Sequence, residues 1–228
     1  GNGNKLGSAD PVDVRNIRSA IAVASGVRHS CAVLDNGDIR CWGGNAYGQL
    51  GNNSSGNSAG SSIPVAVASI SNGSSIASGD EFSCAVLTDG TVKCWGRGSN
   101  GQLGNASSGP GADQDTPVSI SLSDYTAGMV SAGANQACIV DNYNLLVNPL
   151  ARCWGNNTSG QLGDGSNTLR SSPVKVRNSG NSGSLAGVIS ISTGGNHSCA
   201  AISTGLVYCW GANNKGQIGK LPGSPNSA

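Results

Sequence analysis

"CAVLDNGDIRCWGGNAYGQLG", residues 31–51, decides the fold, because variants of it recur three more times along the chain. The four copies read HSCAVLDNGDIRCWGGNAYGQLG, FSCAVLTDGTVKCWGRGSNGQLG, QACIVDNYNLLVNPLARCWGNNTSGQLG and HSCAAISTGLVYCWGANNKGQIG. Their tryptophans, Trp42, Trp95, Trp154 and Trp210, follow one another at 53, 59 and 56 residues. Upstream of each first cysteine lies a β-rich segment ending in glycine: IAVASG, SSIASG, GMVSAG and VISISTGG. Downstream of the first three, a polar stretch leads to Pro-Val in IPVAV, TPVSI and SPVKV.

Each unit therefore reads as a short strand, a strand from the first cysteine, a tight turn, a strand into the second cysteine and a long polar connection. The alternation supports this, since Cys31, Val33, Ile39 and Cys41 fall on one face. Repeats of about 50 residues built from several short strands point to an all-β radial architecture, a β-propeller. The approximate repeat limits are 15–65, 66–118, 119–176 and 177–228, within one domain spanning 1–228. The first 14 residues, ending in PVDV, resemble a repeat tail such as GDGSNTLRSSPVKV and are candidates to complete the last blade. Four repeats are compatible with a small closed ring, with part of a larger one, or with a partial ring completed by another subunit.

Composition narrows the function. Only 11% of the 228 residues are charged and the formal net charge is +1, which leaves no basic stripe for a phosphate backbone. The apolar runs are far too short to span a bilayer. The opening GNGNKLGSAD is no secretory leader, so an exported form would be a mature protein or an excised domain. With 36 glycines but one Phe and one Met, the core must come from Val, Ile, Leu, Ala, Trp and cystine, and it needs reinforcement.

The cysteines supply a candidate. In three copies the pair is ten residues apart: Cys31 and Cys41, Cys84 and Cys94, Cys199 and Cys209. With Asp35–Gly37 as a three-residue loop and Gly37 in the left-handed conformation, Val33 opposes Ile39 and Cys31 opposes Cys41. Directly opposed residues in a non-hydrogen-bonded pair are near disulfide distance. Five extra residues lengthen the third hairpin without preventing Cys138 from meeting Cys153. Four local disulfides are the expected arrangement, with reduced buried thiols as the alternative. Zinc ligation is less suited, because no two cysteines lie two to four residues apart. Disulfides would place the chain outside the reducing cytosol.

The string His-Ser-Cys-Ala, turn Gly, Cys-Trp-Gly, Gly-Gln-Leu-Gly and Pro-Val resembles the regulator of chromosome condensation repeat family over nearly the whole chain. The resemblance implies blades that are four-stranded antiparallel sheets. The cysteine-bearing version is similar to repeats of secreted and surface bacterial proteins. The best-known members have seven blades, against four repeats here. The founding member's nucleotide exchange on a nuclear GTPase fits poorly with a chain that has paired cysteines and no basic tail.

The four tryptophans and Gln49, Gln102, Gln161 and Gln217 recur in every copy, which suits packing and backbone satisfaction better than ligand binding. His29 and His197 occupy one template position, where the other copies have Phe82 and Gln136, and no nucleophilic triad is visible. GADQD and GDGSN lack the spacing of a calcium loop and read as polar connections. Asn-X-Ser/Thr triplets at Asn72, Asn105, Asn157 and Asn196 arise readily in so Asn- and Ser-rich a chain.

Function is expected at the variable positions that the blades hold in place. These are residues 45–47, 97–100, 156–159 and 212–215, with Tyr47, Arg97, Asn100 and Lys215 as candidate binding residues. The connections 52–63, 105–116 and 163–172 are further candidates. So is the insertion 143–150, whose Leu145, Leu146, Val147 and Leu150 are apolar enough for an interface. The expectation is a secreted or cell-surface, non-enzymatic binding or adhesion module, without cofactor or metal, recognising a protein or glycan on another surface. It needs neither nucleic acid nor membrane insertion. An assembly domain that forms a homo-oligomer or caps a fibre, and a secreted hydrolase inhibitor, are the rival readings.

Overall fold

The computed structural model describes residues 1–121, 125–141, 148–180 and 183–219. Fifteen strands among them form four antiparallel sheets, one per repeat. The first blade contains β1 (Ala20–Ser25), β2 (His29–Leu34), β3 (Ile39–Gly43) and β4 (Ser61–Ala66). The second contains β5 (Gly73–Ser78), β6 (Phe82–Leu87), β7 (Val92–Gly96) and β8 (Gln114–Ser119). The third contains β9 (Ala127–Ala132), β10 (Gln136–Asp141), β11 (Ala151–Gly155) and β12 (Arg170–Lys175). The fourth contains β13 (Val188–Thr193), β14 (His197–Ile202) and β15 (Val207–Gly211), and no fourth strand among the described residues. The strands of each sheet lie in chain order, so every blade is a meander.

Register follows from the hairpin. Gly37 has φ of 83° and its N–H donates to Leu34 O, closing the loop expected at 35–37. Cys31 then stands opposite Cys41, with Cα atoms 4.1 Å apart, and the two are bonded. Cys84–Cys94, Cys138–Cys153 and Cys199–Cys209 repeat the arrangement, so all eight cysteines are paired as expected.

The core lies between blades. Cys31, Val33, Ile39, Cys41 and Leu50 of the first blade pack on Ile76, Ala85, Leu87 and Trp95 of the second. The same pairing joins the second blade to the third through Cys84, Val86, Val92, Cys94 and Leu103 against Val130, Ile139 and Trp154. It joins the third to the fourth through Cys138, Val140, Ala151, Cys153 and Leu162 against Val188, Ile191, Ala200 and Trp210. Each cystine is thus a core-filling side chain as well as a cross-link, which explains how a chain with one Phe builds a dry core. Each indole also ties two blades: Trp95, Trp154 and Trp210 donate through Nε1 to the carbonyls of Gln49, Gln102 and Gln161 at 3.0, 2.9 and 2.9 Å.

The arc is open. Among the described residues no hydrogen bond joins the fourth blade to the first. Val23 of β1 is 73% exposed, whereas its counterparts Ile76, Val130 and Ile191 are 7%, 7% and 4% exposed. At the other end Val207 is 65% exposed, against 1% for Ile39 and Val92. Cys199 and Cys209 are half-buried while the other six cysteines are fully buried. Residues 1–14, expected to complete the last blade, form no strand and pack against the first blade. Gly1 lies against Val14 and the Trp42 indole, and Gly3 N–H donates to Ser62 O at 3.0 Å.

His29 is sealed between the first two blades, where its Nε2 lies 2.8 Å from Ser83 Oγ and its Nδ1 has no partner. Burial pushes its pKa down to about 4. The folded state therefore holds His29 neutral while the unfolded chain, with an ordinary pKa of 6.5, takes up a proton. Stability is expected to fall as pH drops from about 6.5 to about 4, by on the order of 3 kcal/mol. His29→Phe, which copies the residue at Phe82, should flatten that segment of the curve in urea melts at pH 7, 5.5 and 4. Parallel curves for the variant and the parent would show that His29 does not carry the effect.

Candidate functional site

The loops between Trp-Gly and Gly-Gln form a row on one face of the arc, and their backbones are held by template residues. Gln49, Gln102, Gln161 and Gln217 each accept, through Oε1, the N–H two residues earlier, at 2.9, 2.8, 2.9 and 2.8 Å. Asn45 and Asn157, both buried, accept the N–H of Leu50 and Leu162 through Oδ1, each at 2.9 Å. Asn213 does the same for Ile218 at 3.3 Å. The Nδ2 of Asn45 reaches Ser54 O, and that of Asn157 reaches Ser166 O and Thr168 O, stapling the long connections. The second repeat has Gly98 here, and its N–H donates to Asp113 Oδ1 instead.

Asn45, Asn157 and Asn213 are therefore part of the scaffold, although the sequence reading placed them among variable positions. Their signal was available, since Asn follows Trp by three residues in three of four copies. The GDGSN loop is likewise internally satisfied. Asp164 accepts from Asn157, Ser166 and Arg170; burial pushes its carboxyl up, but the bonds from Ser166 and Arg170 outweigh this and hold it below the usual range. Asn157 is also unavailable as a glycan acceptor, its amide being buried and bonded.

With the backbone held, the residue before each Gly-Gln is presented towards the next blade. Tyr47 lies under Arg97, whose Cζ is 4.8 Å from the ring centroid. Arg97 also donates through Nη1 to Glu81 Oε2 at 2.7 Å and through Nε to Ser99 Oγ at 3.2 Å. The Glu81 hydrogen bond raises the Arg97 pKa further. The equivalent Asn100 donates through Nδ2 to Asn135 Oδ1 at 3.3 Å, and Gln102 Nε2 donates to the same oxygen. Thus two candidates from different repeats, Tyr47 and Arg97, are brought together, with Asn100 on the same face one step further. Lys215 stands exposed on the fourth blade, away from this group.

Glu81 and Asn135 belong to the face but were not picked out from sequence. They precede Phe82 and Gln136, and the matching residues are Arg28 and Asn196, so this position carries three residue types in four copies. Of the insertion, Leu145 and Leu146 lie outside the described residues. Leu150 is half-buried against its own chain, bridging to Ala186 and accepting the Asp141 N–H.

His29 and Ser83 place an imidazole beside a hydroxyl, the beginning of a nucleophile–base pair. Ser83 is fully buried and Nδ1 has no carboxylate to orient the ring, so the pair is an inter-blade contact. Among the described residues no helix is long and apolar enough to cross a membrane.

Comparison with known proteins agrees with this layout. The regulator of chromosome condensation (RCC1) repeat matches residues 36–86, 89–140 and 153–201, and a second form of the same repeat matches 20–49, 74–102 and 188–217. The human E3 ubiquitin-protein ligase HERC2 is 30% identical over 229 residues, covering 96% of this chain and 4% of that protein. The ultraviolet-B receptor UVR8 of Arabidopsis thaliana is 30% identical over 200 residues, covering 86% of this chain and 42% of the receptor. Among solved structures, yeast RCC1 (Prp20) bound to Kap60 superposes with a TM-score of 0.77 at 20% identity, covering 94% of this chain and 49% of that one. Human WBSCR16 gives the same TM-score and identity, covering 96% and 57%. The chain spans about half the length of these structural relatives, and at such identities the likeness concerns the fold.

Proposed function

The chain belongs to the regulator of chromosome condensation (RCC1) repeat family, and on that footing we propose that it is a non-enzymatic, extracellular protein-binding module. The observation that carries this reading is the pairing of Tyr47 with Arg97 across two blades, at positions the template leaves variable. An aromatic ring and an arginine held rigidly together are the usual anchors of an interface, because they bring contact area at little entropic cost. Glu81, Asn100 and Asn135 surround them with donors and acceptors for a polar rim. A protein partner is in keeping with one structural relative, yeast RCC1 having been solved bound to Kap60. Four disulfides, three of them fully buried, support an oxidising location.

The test uses the labelled, oxidised chain on an array of purified extracellular protein domains beside a glycan array. Protein hits that weaken about tenfold or more for Arg97→Ala and Tyr47→Ala, with unchanged far-UV spectra, are the expected result. Hits confined to glycans, or protein hits indifferent to both substitutions, would overturn it. For the location, protein recovered from an oxidising compartment should show no free thiol on intact-mass analysis.

A further inference from the structure

The loop that carries Tyr47 hangs from the backbone beside His29. Every repeat suspends its variable loop in the same way, the N–H two residues after the tryptophan donating to a carbonyl just before the second strand. Gly44 donates to Arg28 O at 2.6 Å, Arg97 to Glu81 O at 2.9 Å, Asn156 to Asn135 O at 2.9 Å and Ala212 to Asn196 O at 2.8 Å. In the first repeat the far end of the loop is tied to the second blade, where Trp95 Nε1 donates to Gln49 O at 3.0 Å.

The residue after each suspending carbonyl differs in chemistry. In the second repeat it is Phe82, fully buried, and in the third it is Gln136, whose Nε2 donates to Gly194 O. In the first it is His29, equally sealed and titratable. Its Nε2 lies 2.8 Å from Ser83 Oγ, a hydroxyl that is itself 3.4 Å from Ser78 Oγ, and its Nδ1 has no partner. Gly26 packs on the ring and on Gly79 O. A neutral imidazole fits this place, whereas an imidazolium would carry a second N–H with no acceptor, away from water. The strands β1, β5 and β6 around it contain no ionisable side chain, their cysteine being bonded. The adjoining loops bring Arg28, Tyr47, Asp80, Glu81 and Arg97, and β3 brings Arg40. None of these shifts the ring, whose pKa is pushed down to about 4 by burial alone.

We propose that His29 is a pH-sensitive switch for the Tyr47–Arg97 face: uptake of a proton at Nδ1 parts the first two blades locally and frees the loop that carries Tyr47. The inference rests on the reading of that face as the binding site. The path is short. His29 stands opposite Gly43 in the β2–β3 register, and Gly43, at φ of 111°, has no room for a Cβ because Arg28 O and His29 Cα are there. A ring that moves to reach water carries this backbone with it, and with it the acceptor of Gly44 N–H. Across the junction Ser83 lies two residues from Glu81, the partner of Arg97. The neutral ring belongs to the closed junction and the protonated ring to the open one. Opening therefore becomes easier as pH falls from about 6.5 to about 4, and no easier below. The loop of the third blade, suspended beside Gln136, has no such group and keeps its bond. A partner held at neutral pH is released near pH 4 while the remaining blades stay folded.

Hydrogen exchange of the isotope-labelled, oxidised chain at pH 7, 5.5 and 4, corrected for intrinsic exchange rates, tests this without a partner. Protection of the Gly44 amide relative to that of Asn156 should fall on the order of a hundredfold between pH 7 and pH 4. In His29→Phe and His29→Gln, which copy the residues at 82 and 136, the ratio should stay level. A level ratio in the parent chain, equal losses at Gly44 and Asn156, or a fall that persists in either variant would overturn the proposal. The binding reading fails differently, through partners indifferent to Tyr47→Ala and Arg97→Ala.

Discussion

Trp154→Ala is expected to cost about 4 kcal/mol of unfolding free energy, and Trp42→Ala about 1 kcal/mol. The residues share a template position and differ in what surrounds them. Trp154 is fully buried between the second and third blades and donates to Gln102 O at 2.9 Å. Its loss opens a cavity too large for the neighbouring strands to fill and leaves a buried carbonyl unpaired. Trp42 is half-buried beside the N-terminal segment and has no such acceptor. Urea denaturation at a concentration where the chain is monomeric measures both. Equal losses at the two sites would show that the first blade is as tightly covered as the third, contrary to the open arc.

Gly133→Ala is expected to destabilise by about 3 kcal/mol, against less than about 0.5 kcal/mol for Gly195→Ala. Near the axis of the arc each blade places a glycine against the carbonyl of the next: Gly26 against Gly79 O, Gly79 against Gly133 O, and Gly133 against Gly194 O. A methyl at 133 would collide with that backbone oxygen and with the Gln136 amide. Neither can retreat cheaply, because Gln136 Nε2 itself donates to Gly194 O at 3.0 Å. A methyl at 195 meets nothing within 4 Å. Thermal or urea melts of the pair give the comparison directly. A tolerated Gly133→Ala would mean that the axis is looser than the blade-to-blade contacts require.

Both effects arise from contacts between repeats, and reading the chain by itself loses resolution there and at side-chain contacts within a repeat. Asn45, Asn157 and Asn213 look variable because neighbouring residues change around them, yet each is buried and anchors a loop. Glu81 is invisible as a partner of Arg97 until the bend just before β6 is laid beside the loop carrying the arginine, 16 residues on. His29 and His197 look equivalent in the repeat. One is sealed against Ser83 and the other is half-buried on the fourth blade.

What the sequence determined by itself was the blade: strand order, the turn at Gly37, the pairing of Cys31 with Cys41 and of their counterparts, and the inward side of each hairpin. These depend on contacts within about a dozen residues, where turn geometry and the two-residue strand period leave one register. Only the tertiary structure decided which template residues are buried, and that Tyr47 and Arg97 meet. Those outcomes rest on contacts some 50 residues apart, such as Trp95 with Gln49. A repeat presents the same residues to every neighbour, so its local pattern cannot say which of them each neighbour covers.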